Sequence, residues 1–185
     1  MSFLDWPAEE VFPTQRAQLR RRRVTLDLFR KFREAFPEIT YELIWQSATI
    51  NSQAWRFGPR LHVLVYGGLV RYPGMTRAGL ALVLAHETGH HLGGPPYDPA
   101  LPLISWQGQA DYWAANEGMT KVFGLEAKRL TLRGARAIYD LHAAFEGRSQ
   151  EDEADLAADC RREIFLAAAS GQAMPECAKR ALSHF

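Results

Sequence analysis

The sequence has little cysteine, no long apolar run and no excess of either charge. With 22 Lys and Arg against 21 Asp and Glu the formal net charge is +1, so no global field draws the chain to nucleic acid or to an anionic membrane. Partners must be argued from a local site. No stretch approaches the roughly 18 apolar residues of a membrane helix, and the start MSFLDWPAEEVF lacks the basic-then-apolar profile of a signal peptide. The chain is therefore expected to be soluble, with no membrane span and no compartment indicated. Two cysteines, Cys160 and Cys177, are too few for a disulfide scaffold and too far from the histidines for a zinc ribbon. They either pair in an oxidising compartment or stand as two buried thiols. Internal repeats, low-complexity tracts and dividing linkers are also lacking, so 185 residues read as one domain, 1–185, large enough to bury a core.

What is present is a change of periodicity along the chain. From Thr14 to Phe36, Leu19, Leu26, Phe29, Phe32 and Phe36 recur at roughly helical spacing, and Pro37 closes the segment. The run Arg20 to Arg23 is read as the solvated face of that helix. Three segments rich in β-branched and aromatic residues follow, Tyr41 to Ser47, Thr49 to Phe57 and Leu61 to Tyr66, separated by Gly58-Pro59 and closed by Gly67-Gly68. They predict a small antiparallel sheet. Thr76 is then a candidate N-cap for a helix through Leu80, Val83, Leu84 and His90, ended by Gly93-Gly94. Trp106 to Phe123, Leu125 to Phe145 and Glu151 to Ala169 read as further helices, giving an α+β fold. Trp106 and Trp113 are expected to wedge their helix against the one carrying His90.

The helix from Thr76 carries the chemistry. His86 and His90, four apart, present two imidazoles on one face at a spacing that can share a zinc ion. Glu87 sits beside them, able to take a proton from a metal-bound water and pass it to a leaving amine. The apolar run LALVLA before H-E-T-G-H favours this over a chance motif. His91 faces away from the pair. A catalytic zinc also needs a third protein ligand. The extended pattern H-E-x-x-H-x-x-G-x-x-H would place it at Pro96, which cannot bind, with Asp98 two residues late.

Taken in order, INSQAW, VYGGLVRYPGM, LALVLAHETGHHLGG and WQGQADYWA resemble the motifs of gluzincin zinc metallopeptidases of the HtpX-like type. The resemblance implies a zincin-like domain, with a small antiparallel sheet packed on an active-site helix and further helices C-terminal. It also implies zinc as cofactor, a peptide or protein substrate, and endopeptidase chemistry with Glu87 as general base. The family's third ligand is the Glu of E-x-x-x-D on a following helix; Gln107 stands at that position here, while the aspartate is retained as Asp111. In the family that aspartate orients a zinc-bound histidine through its ring N–H.

Three residues are candidates for the third ligand: Asp111, Gln107, and Glu151 in EDEADLAA, which repeats the E-x-x-x-D form. The resemblance further implies that Asn51 to Ala54 form a sheet edge to which substrate backbone adds, with Asn51 and Ala54 as substrate-binding residues. Tyr97, Tyr112 and His142 are open as donors to the oxyanion of peptide cleavage. The alternative to an active peptidase is an impaired one, acting as a peptide- or protein-binding module, suggested by the missing carboxylate at Gln107.

Overall fold

The computed structural model describes residues 14–145 and 156–182; Glu151 lies outside them. Helix α1 (Gln15–Ala35) is followed by strands β1 (Ile39–Ile44), β2 (Ser52–Phe57) and β3 (Arg60–Tyr66), then by a short α2 (Gly67–Arg71) and the long α3 (Arg77–Leu92). After an irregular segment come α4 (Gln107–Trp113), a π turn at Ala114–Gly118, α5 (Met119–Phe123) and a 3-10 turn at Gly124–Glu126. Helices α6 (Ala127–Phe145), α7 (Ala158–Ala169) and α8 (Glu176–Leu182) complete the described chain. The α+β, zincin-like reading holds: a small sheet and a set of helices enclose α3. Among the described residues no helix is long and apolar enough to cross a membrane.

The buried stripe of α1 is Thr25, Leu28, Phe29 and Phe32, continued by Phe36. Leu19 and Leu26, expected inside, are about half exposed at 50% and 46%, because stepping back from Phe32 by three and four residues reaches Leu28, Thr25 and Arg21 instead. Arg21 therefore lies on the inner face, not the solvated one. Its guanidinium donates to the carbonyls of Val70, Tyr72, Pro73 and Met75, satisfying the loop between α2 and α3.

The sheet order is β1-β3-β2, with β2 antiparallel to β3 and β1 parallel to it, so the sheet is mixed where an antiparallel one was expected. Strand periodicity reports faces, not directions. The cause lies in the connection between β1 and β2, which passes over the end of β3 and so carries β1 to the far edge. A Cβ at Gly67 or Gly68 would stand 2.0 Å from the carbonyl oxygen of Trp45 or Ala48, and only glycine permits that crossing. Arg71 fixes it by donating to the carbonyls of Trp45 and Ser47.

The main core joins α1, the inner sheet face, α3, α4 and α6. A second, smaller cluster of Trp106, Leu156, Cys160, Ile164 and Ala178 holds α7 and α8 against the start of α4. There the two cysteines form a disulfide, Cys160 to Cys177. Trp113 packs near Gly89 of α3, as expected, but Trp106 belongs to the second cluster instead.

Candidate metal centre

Helix α3 starts at Thr76, whose Oγ1 accepts from the Gly79 amide at 2.9 Å, the cap its sequence predicts. Residues Ala78 to His91 are all buried. A helix buried on every side cannot leave polar groups unpaired without a cost of several kcal/mol, so each polar side chain on it can be followed to its partner. Thr88 donates to the Leu84 carbonyl and meets the Tyr41 hydroxyl at 2.8 Å. His91 bonds the carbonyl of His62 in β3 through Nε2 at 2.9 Å, which turns it to the sheet. Glu87 accepts from the Ser52 hydroxyl at 2.7 Å.

The other ring nitrogen of His91, Nδ1, is left without a hydrogen-bond partner among the described residues, and His86 and His90 turn toward each other. His86 Nδ1 lies 2.6 Å from Asp111 Oδ1, and His90 Nδ1 lies 2.7 Å from the Ser105 carbonyl oxygen. Burial alone would raise the Asp111 pKa, but Arg161 and His86 outweigh it and hold the carboxyl well below its usual range, so Asp111 is an anion that only accepts. Both Nδ1 atoms are therefore the protonated ones. In a neutral ring so protonated, Nε2 carries a bare lone pair, and the two Nε2 atoms face each other at 3.1 Å. Burial and the neighbouring His86 push His90 down to about 4, so the His90 ring is neutral near pH 7.

Two converging lone pairs repel unless a cation lies between them. Two nitrogens each about 2.05 Å from a tetrahedral zinc stand about 3.3 Å apart, close to the separation found. Ligand atoms of His86, Glu87 and His90 all fall within 4.8 Å of one another. At the start of α4, Gln107 Oε1 is buried with no hydrogen-bond partner among the described residues, an acceptor open to a donor or a cation. The donor set fits zinc.

Burial would raise the pKa of Glu87, but the two imidazoles and the Ser52 hydroxyl bring it below the ordinary value. Glu87 is thus a carboxylate, buried beside the histidine pair. Strand β2, which supplies Ser52, is an outer strand. Asn51 accepts from the Tyr66 amide through its carbonyl and from the Ser52 amide through its side chain. By antiparallel alternation the backbone groups of Ser52, Ala54 and Arg56 point to the free edge.

Of the other sequence candidates, Asp111 has both carboxylate oxygens engaged, by His86 and by the guanidinium of Arg161. Asp98 accepts from the amides of Ala100 and Leu101 in its own loop. Tyr97 is 47% exposed, Tyr112 donates to the Gln172 carbonyl, and His142 Nε2 accepts from Arg161 at 3.0 Å. Three residues had no signal in the sequence: Ser52 as partner of Glu87, Ser105 as acceptor for His90, and Arg161, which is 3% exposed. The two serine contacts and the Arg161 pairing join residues 35, 15 and 50 positions apart, and no local pattern marks such pairs.

The family model of peptidase family M48 matches residues 15–171, most of the chain. No curated protein and no solved structure matches it.

Proposed function

The chain belongs to peptidase family M48, a family of zinc metallopeptidases, and from that premise we propose that it is a zinc-dependent endopeptidase with His86 and His90 as metal ligands and Glu87 as general base. The observation that carries the reading is the pair of Nε2 atoms facing each other at 3.1 Å on a buried helix, each ring held at Nδ1 by an acceptor.

When bound, zinc supplies Lewis acidity, lowering the pKa of a water and drawing charge from a peptide carbonyl. The protein's own part is to hold and move protons. Asp111 and the Ser105 carbonyl keep the proton of each imidazole on Nδ1 and aim Nε2 inward. Glu87, ionised and oriented by Ser52, accepts a proton from the attacking water and returns it to the leaving amine. The outer edge of β2 at Ala54 offers backbone groups to an extended peptide, while Ser52 is buried with its amide held by Asn51, which fixes the start of that edge. The substrate is accordingly a peptide or protein in extended form.

With Asp111 committed to His86 and Arg161, the third protein ligand is drawn from Glu151 and Gln107. Zinc strongly favours a carboxylate over a neutral amide. Comparing Glu151→Gln with Gln107→Ala identifies it as the residue whose loss weakens zinc binding more.

Casein digestion with chelator and zinc re-addition tests the function. Digestion that stops on chelation and returns with zinc supports the proposal. A wild type that binds zinc yet cuts neither casein nor peptides would instead favour a peptide-binding module.

A further inference from the structure

The guanidinium of Arg161 meets both oxygens of Asp111 in a fork, Nε to Oδ2 and Nη2 to Oδ1, each at 2.7 Å. Arg161 and Asp111 are 3% and 0% exposed. Asp111 Oδ1 also receives the proton of His86 Nδ1 at 2.6 Å, a much closer approach than the 3.4 Å between that nitrogen and Arg161 Nη2. The third guanidinium nitrogen, Nη1, donates to His142 Nε2 at 3.0 Å, so the arginine is itself held at its far end. Burial and the adjacent Arg161 charge push His142 down to about 3, consistent with a neutral ring accepting at Nε2.

We propose that Arg161 is a positioning residue of the metal centre: its fork fixes the plane of the Asp111 carboxylate, and through it the ring of His86. A carboxylate held only by His86 would be free to turn about its last torsion, and the imidazole would turn with it. Two parallel N–H···O bonds remove that freedom, a geometry that arginine supplies and lysine does not.

A purely structural role, tying α7 to α4, accounts less well for the pair. The start of α4, at Trp106, is already packed against α7 and its flanks through the apolar cluster with Leu156, Ile164 and Ala178. A buried ion pair adds little stability over apolar residues of similar volume. What apolar residues would not supply is a fixed acceptor at His86 Nδ1.

The inference rests on the zinc-site reading, and a zinc titration separates the two. Dissociation constants are measured by competition with a chromophoric chelator for wild type, Asp111→Asn, Arg161→Gln and the double variant. Arg161→Gln is expected to weaken zinc binding about 10- to 100-fold, the range for residues that orient a ligand. The double variant is expected to be no weaker than Asp111→Asn alone, because Arg161 acts through Asp111. Arg161→Lys keeps the buried charge, loses the fork and still binds more weakly; it carries the comparison if Arg161→Gln does not fold. Wild-type affinity in the Arg161 variants, or single effects that multiply in the double, overturns the role of Arg161 alone. A wild type that binds no zinc, or a His86→Ala variant that binds it as tightly, overturns the zinc site and this role with it.

Discussion

Gly89 of α3 lies against the backbone of Ala110 in α4, so closely that a Cβ at position 89 would stand 2.7 Å from the Ala110 carbonyl oxygen and 3.1 Å from its Cα. The obstacle is main chain, which cannot rotate aside. Ala110 directly precedes Asp111, so the glycine of H-E-T-G-H sets how near the acceptor of His86 can approach. Gly89→Ala is expected to cost about 1–3 kcal/mol through overpacking and to weaken zinc binding. Thermal unfolding with a zinc titration checks both; unchanged affinity would separate this contact from the metal.

The pH dependence of stability follows from histidines held neutral in the fold. Burial, with His86 beside it, pushes His90 down to about 4, and burial with the Arg161 charge pushes His142 to about 3, from an ordinary 6.5. Below about pH 6.5 the unfolded chain takes up protons that the folded chain refuses, so stability falls as pH falls. Asp111 acts in the same direction below about pH 4, because its folded pKa is depressed. The melting temperature of the metal-free protein should decline from pH 7 to pH 4, and His142→Gln should show a shallower decline. A flat profile would contradict the assignment of neutral, buried rings.

The Cys160 to Cys177 disulfide closes a loop of sequence separation 17, for which the chain-entropy argument gives about 3 kcal/mol. Reduction, or Cys177→Ser, should lower the denaturant midpoint accordingly. Equal midpoints with and without reductant would show that the second cluster holds α8 without the bond.

Ser52→Ala removes the donor to Glu87 while leaving the histidines alone. Zinc content should be unchanged and kcat/KM lower by about tenfold, the worth of one hydrogen bond to a charge. Losing that donor raises the Glu87 pKa, so the acid limb of the rate profile should move to higher pH. A matching loss of zinc would mean that Ser52 supports the helix rather than the carboxylate.

Much of this was legible in the sequence because it is local. The cap at Thr76, the spacing of His86 and His90, and the breakers at Pro37, Gly58-Pro59 and Gly93-Gly94 all act within a few residues of themselves. The direction of β1 was not legible, since it depends on how the Trp45 to Ala48 connection crosses Gly67 and Gly68. Nor was the inner position of Arg21, where a four-arginine run looks solvated until its carbonyl partners are seen. At the site, Asp111 could be found from its motif. Its engagement by Arg161, the serine on Glu87 and the carbonyl on His90 depend on tertiary contacts that leave no trace in composition or period.

The most direct test is to load wild type and Glu87→Gln with zinc and follow digestion of an unstructured protein substrate at matched metal content. The account predicts about one zinc per chain in both, with digestion by wild type and a loss of several orders of magnitude in the variant. Equal digestion by the two, or a wild type that holds no zinc, would contradict it.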